Sequence, residues 1–484
     1  MEEKKETKFL RPESLSPMAE IDPAISAPPF HLHCPSMTRS PSLDITPKTP
    51  KSTLASLLLS TPIASPMKKA IESMQCYFEE VGHFTKLDPQ DAWLPITESR
   101  NGNAYYSAFH TLSSGLGAQA LVLPLAFTTL SWTWGILCLS LVFMWQLYTL
   151  WLLVQLHESE SGIRYSRYLR LSMAAFGEKQ GKLLALFPIM YLSGWNLCDL
   201  DYDRWWNHEN IFPNCLWRNM QHEAISCNRV CPLFKVDPEA VSYDPPEAKS
   251  DMARICDVLN ALGIIAFAFR GHNLVLEIQG TMPSSAKKPS RKPMWRGVKL
   301  AYLIIATCLF PLAIGGYWAY GDLMPNGGML NALHKYHGHD TSKLLLGLTS
   351  LFVVLNCLSS FQIYAMPVFD NLELRFTSKK KKPCPRWLRI VFRIFFGCLA
   401  FFISVALPFL MSLAGLIGGI ALPVTLAYPC FMWIQIKKPT KYSAIWCLNW
   451  ILGVSGMVLS MLVTAGAIWT IVTMGIEIHF FKPQ

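Results

Sequence analysis

Residues Asn260–Glu277 read NALGIIAFAFRGHNLVLE. A run apolar enough to enter a membrane is interrupted by Arg270, Gly271, His272 and Asn273, and Glu277 follows shortly after. Such groups are costly in hydrocarbon, and backbone that leaves the helix at membrane depth is tolerated only where it is buried in protein or lines a cavity. The stretch therefore predicts a broken transmembrane helix with a functional site at the break. A second stretch of this kind lies at Leu112–Pro124, LSSGLGAQALVLP, where two Ser, two Gly and a Pro fall inside an apolar run. Taken singly, small residues there can serve close helix packing, and Arg270 can anchor the end of a span at the interface. Two breaks in separate spans favour a transport site, because paired discontinuous helices aim free backbone groups at a substrate.

The rest of the chain fits a membrane setting. Hydrophobic residues make up 51% of the 484 and charged residues 16%, against about a quarter charged in ordinary soluble domains. The mean hydropathy is +0.26. Runs near 20 apolar residues, enough to cross the bilayer core, fall at about 105–130, 134–156, 253–274, 298–320, 344–368, 388–410, 412–435 and 445–474, with a shorter ninth at 183–198. The fold class is an all-α polytopic membrane protein. No HExxH, paired intramembrane Asp or nucleophile motif appears, so an enzyme is not expected. The 14 Cys show no metal spacing, and only Cys198, Cys215, Cys227 and Cys231 are grouped so that they could pair. His110 and His157 read as residues of the membrane interface.

Residues 1–75 are rich in Pro, Ser, Thr and Lys and hold six Ser-Pro or Thr-Pro pairs, from Ser16-Pro17 to Ser65-Pro66. This composition predicts a disordered cytosolic tail, either solvated or regulated by phosphorylation. The polar start, Met1–Arg11, is not a signal peptide. With the N-terminus inside, the inner connections hold 22 Lys and Arg and the outer ones eight. The positive-inside rule selects that orientation. The net charge of +10 is thereby accounted for by topology, without nucleic acid.

Several motifs together resemble a known family. They are SSGLGAQALVLPLAF (113–127), WQLYTLWLLVQLHE (145–158), NALGIIAFAFRGHNLVLEIQGTMPS (260–284), PMWRGVK (293–299), GGYWAYGDLMPNGGML (315–330), CLSSFQIYAMPVFDNLE (357–373) and LPVTLAYPCFMW (422–433). In order along residues 100–195 and 236–484, they look like the plant lysine/histidine transporter-like branch of the amino acid/auxin permease family. The resemblance implies a proton-coupled amino acid symporter with a leucine-transporter-like inverted-repeat bundle of eleven spans. It implies a substrate site at Ser113, Ser114, Gly115, Leu116, Gly117 and Ala118 together with Phe267, Phe269, Arg270 and Gly271. His272, Glu277 and Asp257 are the candidates for proton coupling. No cofactor is implied; the proton gradient is the driving force. The partners are an amino acid substrate, protons and the lipid bilayer, in the plasma membrane. The family's usual members carry a small residue where this chain has Arg270, whose charge disfavours lysine or histidine as substrate.

Only nine spans of the eleven are found. The expected organisation is a tail (1–100), spans one to three (101–198), an aberrant polar extracellular segment (199–252) and spans six to eleven of the family pattern (253–484). The polar segment holds ten acids against five bases, with no helical or alternating period. Permitted codons for Trp195 onward, read one base later, encode the apolar GTCVTWIMIGGGTM. A change of frame near Gly194 with a return near Lys235 would therefore account for two lost spans. A second reading follows, that of a non-transporting membrane protein, truncated or mis-spliced, lacking spans four and five.

Overall fold

The computed structural model describes residues 94–97, 100–159, 163–185, 241–246, 250–285, 288–325, 327–337, 343–406 and 413–474, apart from a few side chains in these ranges. These residues belong to the compact unit Ser65–Gln484. The Pro-rich tail, the expected third span beyond Ala185, the four grouped cysteines and most of 199–252 lie outside them.

Every regular element among the described residues is helical, the exception being one isolated bridge between Glu158 and Arg164. In chain order the helices are α1 (Ala104–Gly115), α2 (Leu123–Leu156), α3 (Tyr168–Phe176), α4 (Asp251–Ala268), α5 (Val275–Gly280) and α6 (Arg291–Tyr320). They continue as α7 (Met329–His337), α8 (Lys343–Lys380), α9 (Arg386–Ala406), α10 (Ala414–Leu422), α11 (Tyr428–Lys437) and α12 (Ala444–Met474). A π-helical turn, Pro423–Ala427, joins α10 to α11. The helix starts follow capping chemistry. The Asn103 side chain accepts the Tyr106 N–H at 3.0 Å before α1, and the Ser250 hydroxyl accepts the Ala253 N–H at 3.2 Å before α4.

Six of these segments are long and apolar enough to cross a membrane: Gln119–Leu156, Asp251–Gly280, Arg291–Leu323, Gly347–Lys380, Ala414–Lys437 and Ala444–Thr473. Two differences from the sequence expectation follow. The interruption between the expected spans 105–130 and 134–156 is a single non-helical residue, Ser131 (φ 58°, ψ −178°), inside α2. The expected span 388–410 is helical as α9, but it carries Arg386, Arg389 and Arg393 near its start and stands outside the six.

Exposed apolar side chains gather on the outer helices, for example Phe352 and Leu355 on α8, Phe395 and Phe402 on α9, and Ile451 and Met461 on α12. Hydrocarbon accepts these without penalty, so association must come from close packing of small residues inside the bundle. The α10–α11 stretch is the most enclosed of the six and α10 packs on α4 and α12. At the α4–α10 crossing Gly263 faces Gly415 and Gly418, and a Cβ built on Gly263 would stand 2.5 Å from the Gly415 carbonyl oxygen. On the other side, α6 packs along α1 and α2.

Candidate functional site

Both broken helices break where permissive residues lie. α1 ends at Gly115, and the chain is extended at Leu116 (φ −108°, ψ 121°) and Gly117 (φ −151°, ψ −175°) before a 3-10 turn, Ala118–Val122. α4 ends at Ala268; Phe269 is extended (φ −103°, ψ 113°) and Gly271 is left-handed (φ 98°). Only glycine adopts that last conformation without strain. A 3-10 turn, His272–Leu274, then leads into α5. Unwinding is thus narrower than the sequence suggests, two residues in the first break and three in the second.

The breaks face each other. A Cβ on Gly271 would lie 2.9 Å from the Ser114 hydroxyl, and a Cβ on Gly115 would lie 3.8 Å from the Arg270 carbonyl oxygen. The carbonyls freed at the end of α1 are taken up by α8. The Ser360 hydroxyl donates to the Ser113 oxygen at 2.7 Å, and the Tyr364 hydroxyl donates to the Ser114 oxygen at 2.8 Å. The Ser114 hydroxyl itself donates back to the Thr111 oxygen at 3.1 Å. Arg270, 7% exposed, extends its guanidinium over the Tyr364 ring, 5.3 Å from the centroid, and against Gly117.

An aromatic wall adjoins the second break. The Phe269 ring lies 6.1 Å from Phe143, which packs in turn on Tyr302 and Phe310. Phe267 is buried in the core beside it. The structure therefore brings Ser113, Ser114, Gly115, Leu116, Gly117, Ala118, Phe269, Arg270 and Gly271 to one place.

The proton-coupling candidates separate. His272 is fully buried with Nε2 3.2 Å from the Gln146 carbonyl oxygen. Asp257 stands eleven residues before the end of α4, roughly 16 Å along the axis from the break. Glu277 belongs to a second polar layer, where one of its carboxylate oxygens accepts the Tyr168 N–H at 3.0 Å. Its other oxygen is buried and has no hydrogen-bond partner among the described residues.

That layer is what the sequence reading missed. Arg167 pairs with Asp370 of α8 in the interior, and Asp370 also accepts the Ile96 N–H at 3.4 Å. Arg164 donates to the Gln279 and Met282 carbonyls at 3.1 and 2.6 Å. The Tyr168 hydroxyl reaches the Val424 oxygen in the π turn at 3.1 Å. Arg389 pairs with Glu373 at 2.9 Å. Arg164 and Arg167 had been counted only as topology signals, yet both are buried. A signal was present: Asp370 and Glu373 recur three residues apart in an apolar span. His157, expected at the interface, is fully buried 3.9 Å from Glu158. Glu158 in turn ties down Ser284 and Ser290, accepting from their hydroxyls at 2.6 and 2.5 Å.

Comparison with known proteins bears on this arrangement. The family described as transmembrane amino acid transporter protein matches residues 100–196 and 229–473. The gap in the match falls inside the stretch whose sequence looks aberrant. The Arabidopsis thaliana protein named lysine histidine transporter-like 8 is 50% identical over 98% of this chain and 99% of its own length. Lysine histidine transporter-like 7 from the same plant is 40% identical, covering 82% of this chain and 90% of its own. GABA transporter 1, also from Arabidopsis thaliana, is 24% identical over 77% of this chain. No solved structure matches. With broken apolar helices and near full-length relatives, the chain is a transport protein, not an enzyme, and it belongs to the transmembrane amino acid transporter family, in its plant lysine/histidine transporter-like branch.

Proposed function

We propose that the chain is a secondary active, proton-coupled amino acid symporter of the plasma membrane, with its N-terminus in the cytosol. The observation that carries this reading is the pair of unwound segments set against each other, at Leu116–Gly117 and Phe269–Gly271. Such breaks leave helix-end carbonyls and N–H groups to meet the ammonium and carboxylate of a zwitterion. The relatives' names favour transport over a non-transporting relative. The drive is about 2.3 kcal/mol per charge for each 100 mV, plus the pH gradient.

Alternating access needs a closure that can open, and the polar layer around Arg167 and Asp370 supplies one. By the basic-loop topology it lies toward the cytosol. Glu277 sits within electrostatic reach of both residues and holds Tyr168 through its backbone. Protonating Glu277 removes a buried negative charge and weakens its grip on the Tyr168 N–H. The loop over the inner side is then freer to part, delivering substrate and proton together.

The test is uptake of labelled leucine, glutamate and lysine, each alone, by cells lacking their own amino acid carriers. Uptake of at least one that rises as the medium is acidified is the expected result; none, with the protein at the cell surface, defeats the proposal. For the proton carrier, Glu277→Gln in proteoliposomes is expected to abolish accumulation driven by an imposed pH gradient while equilibrium exchange persists. A gradient of one unit sustains about tenfold accumulation, so the loss is easily measured. Wild-type pH-driven accumulation by Glu277→Gln would assign the proton elsewhere.

A further inference from the structure

The two breaks meet at a fixed cation. The Arg270 guanidinium enters the space left open by the absent side chain of Gly117, where a Cβ would also lie 2.5 Å from the Gln119 side-chain oxygen. Its plane lies over Tyr364, whose ring is held in turn by the hydroxyl's bond to the Ser114 oxygen. The charge is therefore clamped at the point where the unwound segments converge, and it is almost wholly shielded from solvent. Beside it stands Gln119, fully buried, whose amide nitrogen and oxygen have no hydrogen-bond partner among the described residues. A buried amide left open in this way is costly unless a ligand engages it.

A cation confined in such a place acts on the net charge of whatever enters. Its field is weakly screened because bulk water and salt are kept away. A zwitterion with a neutral side chain offers it a carboxylate at no net repulsion, a second carboxylate adds attraction, and a side-chain ammonium or guanidinium adds repulsion within the same small volume. We infer that Arg270 is a specificity-determining residue that makes the site select acidic and neutral amino acids and reject those with cationic side chains, with Gln119 supplying an adjacent amide to the bound carboxylate. This deepens the transport reading and rests on it.

Direct binding tests it without requiring transport. Purified full-length protein in lipid nanodiscs is titrated with labelled L-glutamate, L-leucine and L-lysine at neutral pH. The expected result is that lysine binds at least about tenfold more weakly than glutamate, equivalent to about 1.4 kcal/mol, with leucine between them. Arg270→Ala is expected to bring the lysine-to-glutamate ratio close to one, and Arg270→Lys, which keeps the charge, to preserve the order. Lysine binding as tightly as glutamate to the wild type overturns the inference and leaves the transport reading standing. So does an equal fall for all three ligands in both variants, the signature of a purely structural arginine. If none of the three binds the wild type, the transport reading fails and the charge preference fails with it.

Discussion

Replacing Asp370 with Ala is expected to cost about 3–5 kcal/mol, the usual loss when one member of a buried ion pair is removed and the other charge is stranded. Arg167 is the charge left behind. Both side chains are almost entirely enclosed, at 3% and 1% exposure, and the pair ties the loop before α3 to the middle of the bundle. Asp370 also holds the Ile96 N–H, so a second segment of the chain is released at the same time. The measurement is heat-induced loss of the monodisperse peak in detergent, compared with wild type. The double variant Arg167→Ala with Asp370→Ala should recover part of the loss, because it removes the stranded cation. A single variant that melts with wild type would show the pair to be energetically idle. The pair formed by Lys182 and Glu178 is the control. It is exposed and joins residues on one helical turn, so Lys182→Ala should leave the melting profile unchanged.

A second large effect is expected at Gly418. A methyl group built there would overlap the Gly263 carbonyl oxygen and press on the Phe267 N–H of α4. Ordinary overpacking costs about 1–3 kcal/mol because side chains can shift. Here the obstacle is backbone, so α10 must move away from α4, and α4 carries one of the two breaks. Gly418→Val is expected to leave little protein in the monodisperse fraction and none at the cell surface. Gly397 of α9, where an added Cβ meets nothing within 4 Å, provides the contrast. Gly397→Ala should be neutral or slightly stabilising, by up to about 1 kcal/mol from helix propensity. Equal behaviour of the two variants would refute the crossing geometry.

The breaks themselves were legible in the sequence. Backbone that leaves the helix at depth needs residues that permit it, and Ser113–Gly117 and Arg270–Asn273 are conspicuous against apolar surroundings. Their partners were not legible. Ser360 and Tyr364 lie in a run of Leu, Phe, Ile and Met, and lipid is as apolar as the protein interior, so hydropathy does not mark the face that turns inward. The buried arginines failed for a different reason. A basic residue in a loop satisfies the positive-inside rule whether it points to water or folds back, and only the fold revealed that Arg164 caps carbonyls after α5. The expected span 105–130 was read as one element because its length is right, although its helix stops at Gly115 and resumes beyond a 3-10 turn.

The bonds that complete the first break join residues far apart in the chain, Tyr364 to Ser114 across 250 positions and Ser360 to Ser113 across 247. A ribosome adding about 5–20 residues per second makes the second partner of each bond roughly 12–50 seconds after the first. During that interval the carbonyls of Ser113 and Ser114 lack the hydroxyls that will hold them, and hydrocarbon penalises such groups by several kcal/mol each. The first helix to be made is therefore among the last to settle, and a nascent chain arrested before α8 would expose its most vulnerable backbone to quality control.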